Sequence, residues 1–201
     1  FYNIGTQIGS GAKVSATRKE LEQGSVSMTS NPFDLMINGE GFFAVIMGDN
    51  EMRFTRDGSL NVDAQGNLVT RAGYKLYPGF TVPPGTKSVN IAENGTVDAY
   101  VQGQIEPTNL GQVPVFTFVN PTGLKSSGGN LMQVSFSSGE AIQNIAGING
   151  SGLILQGALE SSNVNIMTEM TNLIRAQRAY EMNSKVMGVS DQMMQTANNI
   201  K

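Results

Sequence analysis

Gly5, Gly9, Gly11 and Lys13 bring together the residue types of a phosphate-cradling loop, in which glycine amides and a lysine hold phosphate oxygens. The spacing does not fit: Ala12 separates Gly11 from Lys13, and Val14 stands where Ser or Thr is needed. A flexible linker is the better reading. Asp49, Glu51, Asp57 and Asp63 could supply a carboxylate pair for acid/base attack on a glycosidic bond. They stand at hairpin ends, where Asp caps local N–H groups. Met170, Met182, Met187, Met193 and Met194 offer thioethers of the kind that bind Cu(I). Their helical spacing points to packing, and methionine adapts to surfaces that meet several neighbours. Asn94-Gly95-Thr96 and Asn149-Gly150-Ser151 match the N-glycosylation pattern and read better as Asn-Gly turns.

The absence of His and Cys from all 201 residues removes the usual zinc sites, a thiol nucleophile and any imidazole-dependent triad. No catalytic, cofactor-binding or metal-binding residues are assigned, and the expectation is a protein that is not an enzyme. A net charge of −3 with 14% charged residues gives no basic field to hold nucleic acid. The longest apolar run, 42–47, is far below the roughly 18 residues of a membrane-spanning helix, so no membrane insertion is expected. The first residue is Phe1, which suggests that upstream residues belong to the same protein.

The elements that position these residues follow from turn grammar. Residues 1–30 carry few large apolar side chains among Gly5, Gly9 and Gly11 and predict an extended connector. From Phe33 the period becomes two, with Phe33, Leu35 and Ile37 on one face and Asp34, Met36 and Asn38 on the other. Turns at 38–41, 48–50, 57–58, 64–67 and 72–73 separate predicted strands at 42–47, 52–56, 60–62 and 68–70, an antiparallel meander. A Pro-rich loop from Pro78 to Gly85 precedes a hairpin of 89–91 and 96–101 around Asn94-Gly95, and 113–119 is a further strand. Residues 120–152 predict irregular structure with weak strands.

Glycine then thins out. After Gly157 only Gly188 occurs, and there is no proline. Ile166, Leu173, Tyr180, Met187 and Met194 recur every seven residues, beside a second row of Ala179, Val186, Met193 and Ile200, with Met170, Ala176 and Ala197 nearby. These rows predict a helix from Asn165 to the end, about 55 Å long, with an apolar sector roughly 100° wide for a partner helix. Asn163 or Asn165 is the expected N-cap, and Glu181 and Lys185 an i, i+4 pair. The assembly residues are therefore Ile166, Met170, Leu173, Ala176, Tyr180, Val186, Met187, Met193 and Met194. The fold class is α+β, divided into a connector (1–30), a β-rich outer domain (31–157) and a long C-terminal helix of coiled-coil type (158–201).

Two stretches carry a resemblance. Asn31-Pro32-Phe33-Asp34-Leu35-Met36-Ile37-Asn38-Gly39-Glu40-Gly41-Phe42-Phe43, continued by Phe54-Thr55-Arg56-Asp57-Gly58-Ser59-Leu60 and Gly66-Asn67-Leu68-Val69, resembles the core of bacterial flagellar rod and hook proteins. So do Leu159-Glu160-Ser161-Ser162-Asn163-Val164-Asn165, Gln177-Arg178-Ala179-Tyr180-Glu181-Met182-Asn183-Ser184-Lys185 and Asp191-Gln192-Met193. Within that family, Ile8-Gly9-Ser10-Gly11-Ala12-Lys13, Glu22-Gln23-Gly24 and Pro121-Thr122-Gly123-Leu124 look most like its distal rod members.

The resemblance implies a structural subunit, exported by the type III route, that forms a tubular homo-oligomer transmitting torque through a periplasm-spanning rod. Its implied partners are proximal rod proteins, hook proteins and the surrounding basal-body rings. An N-terminal helix, absent from these residues, would join the C-terminal helix in an inner layer, with the β-rich part outside. A hook or proximal rod subunit is the alternative within the family. A carbohydrate-active or adhesive β protein is the alternative outside it.

Overall fold

A computed structural model of the chain describes residues 20–48 and 51–199; the Gly5 to Lys13 cluster, Asp49 and Ile200 lie outside the described residues. The chain divides into two compact units, Phe1–Glu160 and Ser161–Lys201. The architecture is mainly antiparallel β with one long C-terminal helix, as the turn grammar and the seven-residue apolar rows predict.

The first unit contains sixteen short strands among its described residues: β1 (Val26–Met28), β2 (Leu35–Asn38), β3 (Phe43–Ile46), β4 (Met52–Thr55), β5 (Leu60–Val62), β6 (Leu68–Thr70), β7 (Lys75–Leu76) and β8 (Thr86–Ile91), followed by β9 (Thr96–Val101), β10 (Thr108–Gln112), β11 (Val115–Thr117), β12 (Lys125–Gly128), β13 (Leu131–Gln133), β14 (Ile142–Asn144), β15 (Leu153–Gln156) and β16 (Ala158–Glu160). A seven-stranded sheet has the order β12-β13-β4-β3-β7-β6-β5, and a three-stranded one the order β10-β9-β8. β1 pairs with β16, β2 with β15, and β11 with β14.

One of these pairings crosses both predicted boundaries. β1 falls inside the stretch read as a connector, and β16 inside the stretch assigned to the helix; Val26 opposes Glu160 and Met28 opposes Ala158. The helical unit therefore begins after Glu160, not at 158. A three-residue strand whose partner lies some 130 positions away leaves no local periodicity to read. The alternation predicted from Phe33 also changes in context. Met36 is only 1% exposed, because β2 is covered on both faces, and Leu35 and Ile37 are buried beside it.

The larger core joins Leu35, Ile37, Phe43, Leu60, Leu68, Phe80, Val97, Val115 and Ile154, drawn from most of the sheets. A second core is aromatic: Phe54 meets Phe118 edge-on at 4.9 Å and Phe116 at 5.4 Å between ring centroids, and Phe42 meets Phe118 at 5.7 Å. Edge-to-face pairs at these separations add about 0.5–1.5 kcal/mol each beyond area burial. Where the predicted turn at Asp57-Gly58 meets β2, only glycine fits. A Cβ on Gly58 would lie 1.7 Å from the Leu35 carbonyl oxygen, and the same closeness lets the Leu35 N–H donate to the Gly58 carbonyl at 3.0 Å.

Candidate assembly surface

The second unit is built around one helix, α1 (Ile166–Asn199), 34 residues long. Asn165 is the N-cap: its Oδ1 accepts from the N–H groups of Met167 (3.0 Å) and Thr168 (3.4 Å), satisfying two donors that have no intrahelical partner. Thr171 and Thr196 turn their hydroxyls back to the carbonyls of Met167 and Gln192, both at 2.8 Å. That geometry removes two polar groups from the surface a partner would meet. Glu181 and Lys185 do not close into the expected ion pair; among the described residues the ion pairs are Arg53 to Glu51 and Arg56 to Glu160. An exposed i, i+4 pair contributes only about 0.3–0.5 kcal/mol, so the helix loses little without it.

Every assembly residue expected from the sequence is on α1 and exposed: Ile166, Met170, Leu173, Ala176, Tyr180, Val186, Met187, Met193 and Met194. Tyr180 is 77% exposed and Met194 70%. The expected sector of roughly 100° is too narrow. A seven-residue repeat drifts about 20° per heptad on a straight α-helix, so the row from Ile166 to Met194 winds through about 80° by itself. Met167 and Ile174 form a further seven-residue pair, and Met182 and Val189 another, all at least half exposed. Met182 is one of the methionines whose spacing points to packing, and Met167, Ile174 and Val189 extend the apolar surface beyond the expected assembly residues. Apolar side chains thus occupy most of the circumference, which is the pattern of a helix covered from more than one side. Gly188 has open space where a Cβ would stand, so a neighbouring backbone can approach there.

The point where the β unit ends is held by charge. Glu160 accepts from Arg56 Nε through Oε2 at 2.8 Å and from the Gly24 N–H through Oε1 at 3.0 Å. The Arg56 guanidinium also donates to the carbonyls of Ile37, Gly39 and Gly41 at 3.0–3.3 Å. One side chain therefore ties the 38–41 turn to the last residue before the helical unit, while Glu160 ties in the incoming chain at Gly24.

Among the described residues, Asp63, Asp57 and Glu51 are each engaged in separate local contacts. Asp63 caps its own turn, accepting from the N–H groups of Gln65 and Asn67 and from Asn67 Nδ2 at 2.7–2.9 Å. The Asn67 side chain holds its carboxyl below the ordinary range. Asp57 caps Ser59 and lines a different cavity from Asp63. Glu51 is engaged by Arg53 at 2.6 Å. Asn94 accepts from the Thr96 N–H, the turn geometry expected of Asn94-Gly95. Among the described residues no acidic cluster has the makings of a metal site.

Comparison with known proteins matches both units. Residues 36–99 fit the family model described as flagellar hook protein FlgE/F/G D1 domain, and residues 155–200 fit that of the flagellar basal body rod FlgEFG protein C-terminal. The flagellar basal-body rod protein FlgG of Buchnera aphidicola subsp. Schizaphis graminum is 44% identical over 191 residues, covering 95% of this chain and 74% of that protein. The FlgG proteins of Borreliella burgdorferi and Caulobacter vibrioides are 42% and 38% identical, covering 98% of this chain and 76% and 75% of theirs. The chain belongs to the FlgG family of flagellar basal-body rod proteins. FlgG proteins are structural, which places this chain in the basal-body rod. The segments that carry the resemblance have physical roles: Phe54 to Gly58 supplies an aromatic core member, the Arg56 clamp and the glycine under Leu35, and Leu159 to Asn165 runs from the Glu160 lock to the helix cap.

Proposed function

We propose that the chain is a distal rod subunit that assembles with copies of itself into a tube carrying torque from motor to hook, acting mechanically and not as a catalyst. The helix forms part of an inner layer with an N-terminal helix and neighbouring copies, and the β unit forms an outer layer. Proximal rod and hook proteins meet it at either end of the tube, and ring proteins surround it. The observation that carries this reading is α1: a 34-residue helix of a FlgG-family chain with apolar side chains exposed around its circumference. Exposing so many large apolar groups is unfavourable unless assembly covers them. Leu173→Asp or Met187→Asp would place a charge in that buried layer while leaving the β unit untouched. Electron microscopy of purified basal bodies should then show no rod incorporation of either variant. Rods of normal length and abundance built from either one would refute the assignment of α1 to the packed layer.

A further inference from the structure

Residues 20–28 cross the β unit as a strap laid over it. All three residues of β1 are exposed, so little apolar burial holds the strand in place. Its ladder to β16 is antiparallel: Val26 opposes Glu160 at one end and Met28 opposes Ala158 at the other, and just beyond Met28 the Thr29 N–H donates to the Gly157 carbonyl at 2.7 Å. The incoming and outgoing chains therefore leave the ladder side by side at the Val26–Glu160 end, and the helical unit starts at the next residue, Ser161. The bonds of an antiparallel ladder lie perpendicular to its strands. A pull that parts the two chains thus loads them one at a time, starting from that end.

The polar contacts of the strap gather at the same end. Glu160 takes the Gly24 N–H on Oε1 at 3.0 Å and Arg56 Nε on Oε2 at 2.8 Å, so one carboxylate joins the incoming backbone to the arginine of the β unit. Both charged side chains are mostly buried, away from the water that weakens surface pairs. Gln23 adds two bonds to the turn that Arg56 also holds: its Nε2 donates to the Ile37 carbonyl at 3.4 Å, and its Oε1 accepts from the Gly39 N–H at 3.1 Å. Leu21 packs against the aromatic core and shares the wall of a cavity of about 160 Å³ with Phe42, Phe118 and Arg56. The Arg56 guanidinium lies over the Phe42 ring, 5.9 Å from its centroid, so the core itself fixes where the arginine stands.

We propose that the Arg56–Glu160 pair is the latch of this strap and takes load in the rod: a force that parts residue 24 from residue 160 must break the pair before β1 can peel from β16. The inference rests on the rod reading above and adds the point in each subunit where force on its two connections is held. Arg56 and Glu160 act as positioning residues, keeping β1 seated.

Glu160→Gln keeps the shape of the side chain, removes its charge and leaves Arg56 on the carbonyls of Gly39 and Gly41. In a chain without cysteine, Met28→Cys with Ala158→Cys can staple the far end of the ladder alone. Amide exchange in the free protein of natural length should quicken about tenfold across 20–29 in Glu160→Gln, the loss expected when a hydrogen bond to a charged group is weakened. Exchange in β3 and β4 should not change. With the staple oxidised in the same variant, Thr29 should return to slow exchange while Gly24 stays fast. In flagellated cells, swimming of Glu160→Gln should fall more steeply with medium viscosity than that of the unsubstituted protein, and the oxidised staple should restore it. Unchanged exchange across 20–29, or an equal rise in β3 and β4, overturns the latch and leaves the rod reading standing. An ordinary viscosity dependence overturns the load-carrying role. Failure of the unsubstituted protein to build rods overturns the rod reading and the load with it, while the exchange pattern judges the latch independently.

Discussion

Arg56 reaches Glu160 across 104 positions of sequence and meets it at 2.8 Å, with only 17% and 14% of the two side chains exposed. The guanidinium spends its remaining donors on the carbonyls of Ile37, Gly39 and Gly41. A buried pair of this kind is worth most when every donor is matched, and removing one member strands the other. Arg56→Ala should therefore destabilise the β unit by about 3 kcal/mol, seen as a lower urea midpoint. Arg56→Lys keeps the charge without the planar fork and should recover only part of that loss.

Gln156 works as a staple without charge. Its Nε2 donates to the carbonyls of Pro32 and Val89 at 2.7 and 2.8 Å, and its Oε1 accepts from the Ile91 N–H at 3.0 Å, so it occupies the free edge of β8. Gln156→Leu keeps the bulk and leaves those backbone groups unpaired. We expect a loss of about 2 kcal/mol in thermal or urea unfolding, with faster amide exchange at Ile91.

Two glycines should respond in opposite senses. Gly58→Ala drives a methyl group into the Leu35 carbonyl at 1.7 Å and should cost about 3 kcal/mol or more, measured on the β unit's unfolding transition. Gly188→Ala meets nothing in the free chain. It should raise helicity, by about 1 kcal/mol of propensity, in far-ultraviolet circular dichroism, yet reduce rod incorporation where a neighbouring backbone needs the space.

Asp63 titrates below the ordinary carboxyl range of about 3.9, first because of the Asn67 side-chain hydrogen bond. A carboxyl whose folded value is depressed stabilises fully above its unfolded value, and that contribution disappears as pH falls through the folded one. Asn67→Ala should move the Asp63 titration upward in carboxyl NMR. It should also reduce the acid sensitivity of the 63–67 turn below about pH 4.

The meander was legible because its turns advertise themselves. Asp57-Gly58, Ala64-Gln65-Gly66-Asn67 and Asn94-Gly95 each sit between strands of period two, and β4, β5, β6 and β9 fall where those signals place them. Less could be read where pairing is remote or strands are poor in β-branched residues. β1 against β16, and β12 with its Lys-Ser-Ser-Gly sequence, take their conformation from partners that local sequence does not name. Arg56 stayed hidden for a related reason: at a hairpin end it reads as an exposed charge, and only the fold gathers carbonyls around it. The helix was plain from its heptads and Asn165. Its full apolar extent was not, since the seven-residue rows leave out Met167, Ile174 and Val189, which the 100° turn per residue places on other faces.

The central claim is that the apolar circumference of α1 is exposed in the free subunit and covered in the rod. Leu173→Cys, in a chain otherwise without cysteine, allows a direct measurement of maleimide labelling in free protein and in isolated rods. Rapid labelling of the free subunit and strong protection in the rod are the expected result. Equal labelling in both states would contradict the account.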